Sequence, residues 1–138
     1  MPEGEYGVIK DFLRATEAPA IFKKDGVYHM LSSGSTGWKP NPARYYTSES
    51  LFEGWEYHGN PCVGTNPQNG LSQDKTFGGQ SNFVLTIEGK KDAYIAMFDI
   101  NKPSHPYESG YIWLPILFND GKAVVEWRDE WDLSIFDE

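Results

Sequence analysis

The chain has 138 residues, room for one domain with one core and too little for two ordinary ones. Its 20 acidic and 12 basic side chains leave a net charge of −8, so it has no basic stripe for neutralising nucleic-acid phosphates and no electrostatic pull toward an anionic membrane. Cys62 is the single cysteine, which excludes an internal disulfide and a Cys-based zinc site. No apolar run approaches the roughly 20 residues of a membrane span. An aromatic share of 15% marks a chain that folds. The start, Met1 to Glu5, has neither a basic nor an apolar region of a signal peptide, and the sequence assigns no compartment.

Short apolar stretches punctuated by 14 Gly and 9 Pro predict an all-β chain, and no window sustains a helical period. The first strand is predicted over Ala18 to Lys23, closed by an Asp25-Gly26 turn, and the second over Val27 to Ser32. Arg44 to Ser48 and Trp55 to His58 follow. Gly59 to Gly79 is polar and rich in Gly, Asn, Pro and Gln, and is expected to be a long crossing loop. The scheme then repeats with strands over Asn82 to Ile87, Asp92 to Asp99, Tyr111 to Phe118 and Ala123 to Arg128, with turns at Glu88 to Lys91 and Asn119 to Gly121. The tail Trp131 to Phe136 is apolar enough to dock.

The pattern is two copies of a four-strand meander, offset by the 63 residues between Glu17 and Gln80. Repeated meanders are the mark of β-propeller blades, and an eight-stranded sandwich fits the pattern equally well. The expected units are 1–16 as the end of a preceding blade with a linker, 17–79 as the first blade-like repeat and 80–138 as the second.

Four stretches carry a more specific signal: Glu17-Ala18-Pro19-Ala20-Ile21-Phe22-Lys23, Ser35-Thr36-Gly37-Trp38, Phe77-Gly78-Gly79-Gln80-Ser81 and Ser109-Gly110-Tyr111-Ile112-Trp113-Leu114-Pro115-Ile116. In this order they resemble glycoside hydrolase family 43, and most of all its exo-β-1,3-galactanase-type members. The resemblance spans about Glu17 to Trp131. It implies two blades from the C-terminal part of a five-bladed propeller, belonging to an enzyme that cleaves glycosidic bonds with inversion on a plant-type polysaccharide.

On chemistry alone Glu17 is either a solvated carboxylate before a strand or a general acid, the latter needing a carboxyl whose pKa is raised by partial burial or a like charge. The resemblance assigns it the acid. Gln80 is either a polar residue closing a Gly-rich turn or a hydrogen-bonding group for water or sugar, since a neutral amide is a poor base. The resemblance places it on the water side of the bond. Thr36 and Trp38 are candidates for sugar hydroxyl bonding and ring stacking, against packing between blades. Asp99 is a candidate substrate contact. The family often follows that position with Arg-Trp where this chain has Ile100-Asn101, a departure at this contact.

His29, His58 and His105 have no paired spacing and are read as packing or surface residues; Cys62 is read as a small buried filler. Tyr45, Tyr46, Trp55, Trp113 and Trp127 are expected at blade interfaces, and Asp129, Glu130 and Asp132 in solvent. No metal or cofactor is expected. The expected partner is an oligosaccharide or polysaccharide, with neither nucleic acid nor membrane, and with self-association through open apolar blade faces. The family's remaining active-site acids lie upstream of the general acid and have no counterpart here, so the chain alone is expected to be inactive. The alternative is a non-catalytic carbohydrate-binding or structural β module. The propeller reading requires Glu17 and Gln80 to open equivalent innermost strands and to face one cleft, within about 10 Å of each other, with Thr36 or Trp38 on the rim.

Overall fold

In a computed structural model of the chain, the described residues are 16–34, 39–100 and 110–137. Strands β1 (Thr16–Lys24), β2 (Val27–Gly34), β3 (Ala43–Ser48) and β4 (Glu56–Gly59) pair in chain order as an antiparallel meander. The β1–β2 hairpin closes on Asp25 and Gly26, whose φ angles of 51° and 80° are both left-handed. A two-residue turn with the twist of the strands needs this at both positions, and Asp-Gly accepts it at low cost. Asp120 and Gly121, at 53° and 77°, close the last hairpin in the same way.

The second meander is β6 (Gln80–Thr86), β7 (Tyr94–Ile100), β8 (Gly110–Asn119) and β9 (Lys122–Glu126). It carries a fifth strand, β5 (Cys62–Val63), which pairs parallel to β9. Here the structure departs from the long loop expected over 59–79. A two-residue strand shows no alternation in sequence; the edge of β9 recruits it, with Val125 N–H donating to Pro61 O and Trp127 N–H to Val63 O, both at 2.8 Å. Thr65 and Ser72 bridge, and residues 73–78 form 3₁₀ turns.

The two meanders meet along β1 and β6. Ser81 Oγ, at the start of β6, donates to Ala18 O at the start of β1 over 2.6 Å. Tyr94 is paired with Thr86 at the end of β6, and its hydroxyl donates to Lys23 O at the end of β1 over 3.2 Å. Start lies beside start and end beside end, so β1 and β6 run in the same direction.

One apolar core fills the space between the sheets. Ala20, Phe22, Leu31 and Tyr45 reach it from the first sheet, and Val84, Ala96, Phe98, Leu114, Ile116 and Val125 from the second. Cys62 is buried in the same cluster, and burial pushes its thiol up to about 12, out of reach of thiolate chemistry. His29 is a core residue. Its ring stacks on Phe22 with centroids 4.8 Å apart and meets Phe118 edge-on at 5.8 Å. The Tyr45 hydroxyl accepts from Ala123 N–H at 3.0 Å and shares a 2.6 Å hydrogen bond with His29 Nδ1, tying β3 to β9 through a buried polar chain. His58 instead exchanges a 2.6 Å hydrogen bond between its Nε2 and Thr47 Oγ1.

The faces turned away from this core are also apolar. Ile21, Met30, Tyr46 and Tyr57 stand in register across the first sheet, and Phe83, Met97 and Trp113 across the second. Tyr57, Phe83 and Trp113 are exposed over half or more of their surface. A free-standing two-layer sandwich alternates apolar-in and polar-out, whereas blades stacked around an axis are apolar on both sides. Among the described residues the tail reaches this side: Trp131 Nε1 donates to Trp113 O at 2.9 Å, and Ile135 and Phe136 line a cleft with Ile116 to Phe118. Asp132 caps that tail through the Ser134 N–H and hydroxyl, which lower its pKa, and Lys90 pairs with Asp137.

Desolvation lowers the His29 pKa to about 4. The unfolded chain takes up that proton near pH 6.5, while the folded chain refuses it until about pH 4. Stability should therefore fall as pH drops across this window, by up to roughly 3 kcal/mol from this group, and show no further loss from it below pH 4. Urea midpoints measured at pH 7 and pH 4.5 should differ less in His29→Phe than in the parent chain.

Candidate active site

Both innermost strands begin with a bulge. In β1 the pairing with β2 slips between Glu17 and Ala20, where Ala18 takes a left-handed φ of 54° and Pro19 has no N–H to give to the ladder. In β6 the pairing with β7 slips between Ser81 and Phe83. A bulge re-aims the side chains beside it; Glu17, the second residue of β1, and Gln80, the first of β6, both stand just before one. Left-handed geometry costs an alanine about 1 kcal/mol, and the Ser81 hydroxyl on the Ala18 carbonyl holds the bulge in place.

Gln80 is aimed by the turn before it. Thr76, Phe77 and Gly78 have φ angles of 49°, 58° and 91° in succession. The strained segment is fixed from several sides. Phe77 is fully buried and lies 5.4 Å from the Trp127 ring, while its carbonyl accepts from Asn66 Nδ2 at 3.2 Å and Asn69 Nδ2 at 2.9 Å. Thr76 Oγ1 donates to Asn41 O at 2.6 Å, and Gly79 N–H to Thr76 O at 2.8 Å. Residue 78 has to be glycine: beyond its φ, a Cβ there would stand 2.6 Å from Asn69 Nδ2.

These devices bring Glu17 and Gln80 to one end of the paired inner strands. Gln80 Nε2 donates to Ser33 Oγ at 2.8 Å, and Ser33 Oγ donates to Glu17 O at 3.3 Å. Ser33 is buried, sits opposite Glu17 in the β1–β2 register, and connects the two positions. The Glu17 side chain is exposed and Gln80 is half-buried. Asp99 is the register partner of Gln80, and its Oδ2 accepts from Asn82 Nδ2 at 2.9 Å. Asp99 thus joins the same edge.

Thr36 and Trp38 lie outside the described residues. The segment that carries them leaves β2 at Gly34, which Asn41 clamps: Gly34 N–H donates to Asn41 Oδ1 at 2.8 Å, and Asn41 Nδ2 donates to Gly34 O at 3.1 Å. His105 is likewise outside the described residues. Among the described residues, no group of three or more His, Cys, Asp or Glu is placed to hold a metal ion.

Sequence reasoning missed Ser33, Asn41, Asn66 and Ser81. The asparagines carried a signal, because a polar stretch dense in Asn is what caps a chain of left-handed residues. The two serines carried none, since a strand serine looks the same whether it bridges two sheets or fills a gap.

No protein-family model matches the chain, and no curated protein does. Solved structures match. A glycoside hydrolase family 43 β-1,3-galactosidase, bound to galactodeoxynojirimycin, is 44% identical over 86% of this chain with a TM-score of 0.77. This chain belongs to glycoside hydrolase family 43. A second family 43 β-1,3-galactosidase is 39% identical over 88% of this chain, with a TM-score of 0.79. An exo-β-1,3-galactanase from Phanerochaete chrysosporium, solved with β-1,3-galactotriose, is 29% identical over 80% of this chain, with a TM-score of 0.66. The family 43 chain described here spans 32%, 25% and 23% of the length of these three relatives. Its two meanders are therefore two neighbouring blades of the family's propeller, which accounts for the apolar faces on both outer sides.

If the turn before Gln80 is held as described, Asn66→Ala should cost about 1–3 kcal/mol, because it removes a buried donor from Phe77 O and the acceptor of Gln68 N–H. Thermal unfolding measures this, and Gln68→Ala, which leaves the Asn66 amide intact, should cost much less.

Proposed function

We propose that this part of the family 43 fold supplies the general acid and the water-side residue of a hydrolase that removes terminal galactose from β-1,3-galactan with inversion. The observation that carries the reading is the Gln80–Ser33–Glu17 connection at the common end of the two inner strands. Two of the solved relatives are β-1,3-galactosidases, and the galactanase relative is solved with β-1,3-galactotriose, which supports the sugar and linkage.

In this reading Glu17 gives its proton to the glycosidic oxygen as the bond to the anomeric carbon breaks. A water on the opposite face of the sugar forms the new bond to that carbon and releases its proton to solvent. Gln80 orients this water through its amide carbonyl. Inverting pairs stand roughly 6.5–9.5 Å apart so that the water fits between the water-side residue and the anomeric carbon. Asp99, Thr36 and Trp38 contact the substrate around this axis. Glu17 is exposed in this chain, open to a bound sugar.

The test is a graft. Residues 16–137 replace the matching segment of the 44% identical galactosidase, and turnover of β-1,3-galactobiose is followed by proton NMR. The graft should hydrolyse the substrate and release galactose first as the α-anomer. Glu17→Gln in the graft should lower kcat by about 10²–10⁴-fold. A folded graft whose turnover is unaffected by Glu17→Gln would remove Glu17 from the chemistry, and β-galactose as first product would remove inversion.

A further inference from the structure

A glutamine next to the attacking water can help or hinder. Its carbonyl oxygen accepts a water O–H and leaves the lone pairs of the water free for attack. Its NH₂ donates to those lone pairs and blunts them. An amide free to turn over presents both ends, so a glutamine used in this way needs a lock that chooses one.

We propose that Ser33 is the positioning residue that locks the Gln80 amide with Nε2 inward, leaving Oε1 as the end presented to the nucleophilic water. This rests on the reading of Gln80 as the water-side residue. The geometry is specific about direction. A serine hydroxyl has one proton. The bulge after Glu17 interrupts the β1–β2 ladder, and the Glu17 carbonyl receives that proton at 3.3 Å. With its proton directed to the Glu17 carbonyl, Ser33 Oγ meets Gln80 as an acceptor, and the NH₂ end of the amide donates to it at 2.8 Å. Asp99, the carboxylate paired with Gln80 in the β6–β7 register, takes a donor of its own from Asn82. Ser33 is 4% exposed, so water does not readily replace either bond. The lock also couples the two sheets, because the serine on β2 holds Glu17 near the start of β1 by its carbonyl and Gln80 at the start of β6 by its side chain.

The experiment is proton–nitrogen NMR of the Gln80 side-chain amide in the full chain, compared with Ser33→Ala and Ser33→Thr. In the parent chain one of the two Nε2 protons should be shifted downfield and exchange slowly with water, and the group should show restricted motion. Ser33→Ala should return both protons to free-glutamine positions and speed exchange at least tenfold. Ser33→Thr, which keeps the hydroxyl, should restore most of the signature. Loss of packing alone would lower stability without selecting this one amide for change or letting threonine rescue it. Free-glutamine behaviour in the parent chain would overturn the proposal even if Ser33→Ala failed to fold, and so would an unchanged signature in a folded Ser33→Ala chain. The readout does not depend on catalysis: an unaffected Glu17→Gln graft would remove the hydrolase reading, whereas a free Gln80 amide removes the lock.

Discussion

The structure depends on two strands lying side by side in the same direction. β1 and β6 are not hydrogen-bonded as one sheet; they are the first strands of separate sheets. What joins them is a core of interleaved side chains and a few polar ties: Ser81 to the Ala18 carbonyl and Gln80 to Ser33 at one end, Tyr94 to the Lys23 carbonyl at the other. A sheet repeated around an axis needs such an arrangement, because its inner strands must all point one way for their first residues to gather at one end.

In the proposed mechanism the chemistry follows from that constraint at small cost. The bulge at Ala18, the left-handed run from Thr76 to Gly78 and the two serines are each worth a kcal/mol or so, and each acts on the direction of one side chain. Among the described residues, the left-handed non-glycine positions outside turns at strand ends cluster where Glu17 and Gln80 emerge, at Ala18, Thr76 and Phe77, while Asp25, Asp92 and Asp120 lie in turns. The Tyr45–His29 chain does the corresponding work far from the site, holding the first sheet to β9 with a buried histidine that stays neutral. Three of the positions that shape this site, Ser33, Asn41 and Asn66, touch no reacting atom in the proposed mechanism and act on the residues that do.

Much of the fold was legible in the sequence because it rests on local chemistry. The alternation of Ala20 and Phe22, or of Leu114 and Ile116, marks a face, and Asp25-Gly26 and Asp120-Gly121 mark tight turns. The strand pattern alone left propeller and sandwich level, since that choice depends on what covers the outer faces; Tyr57, Phe83 and Trp113 answer it only once their register and exposure are known. β5 was illegible because two residues carry no period. Glu17 and Gln80 were singled out as candidates through the resemblance of their motifs to a family, and the 63-residue offset gave them equivalent places. Ser33 was invisible because its role lies in a contact 47 positions along the chain, and no strand pattern encodes one.

The central claim, that β1 and β6 are codirectional neighbours with Glu17 and Gln80 at one end, is tested most directly by inter-strand nuclear Overhauser contacts in the labelled chain. Ser81 Hβ should show cross-peaks to Ala18, and the Tyr94 ring should show cross-peaks to Lys23. Cross-peaks from Ser81 to Lys23 and from Tyr94 to Ala18 would mean that the strands run in opposite directions, which would separate Glu17 from Gln80 by the length of the strand and contradict the account.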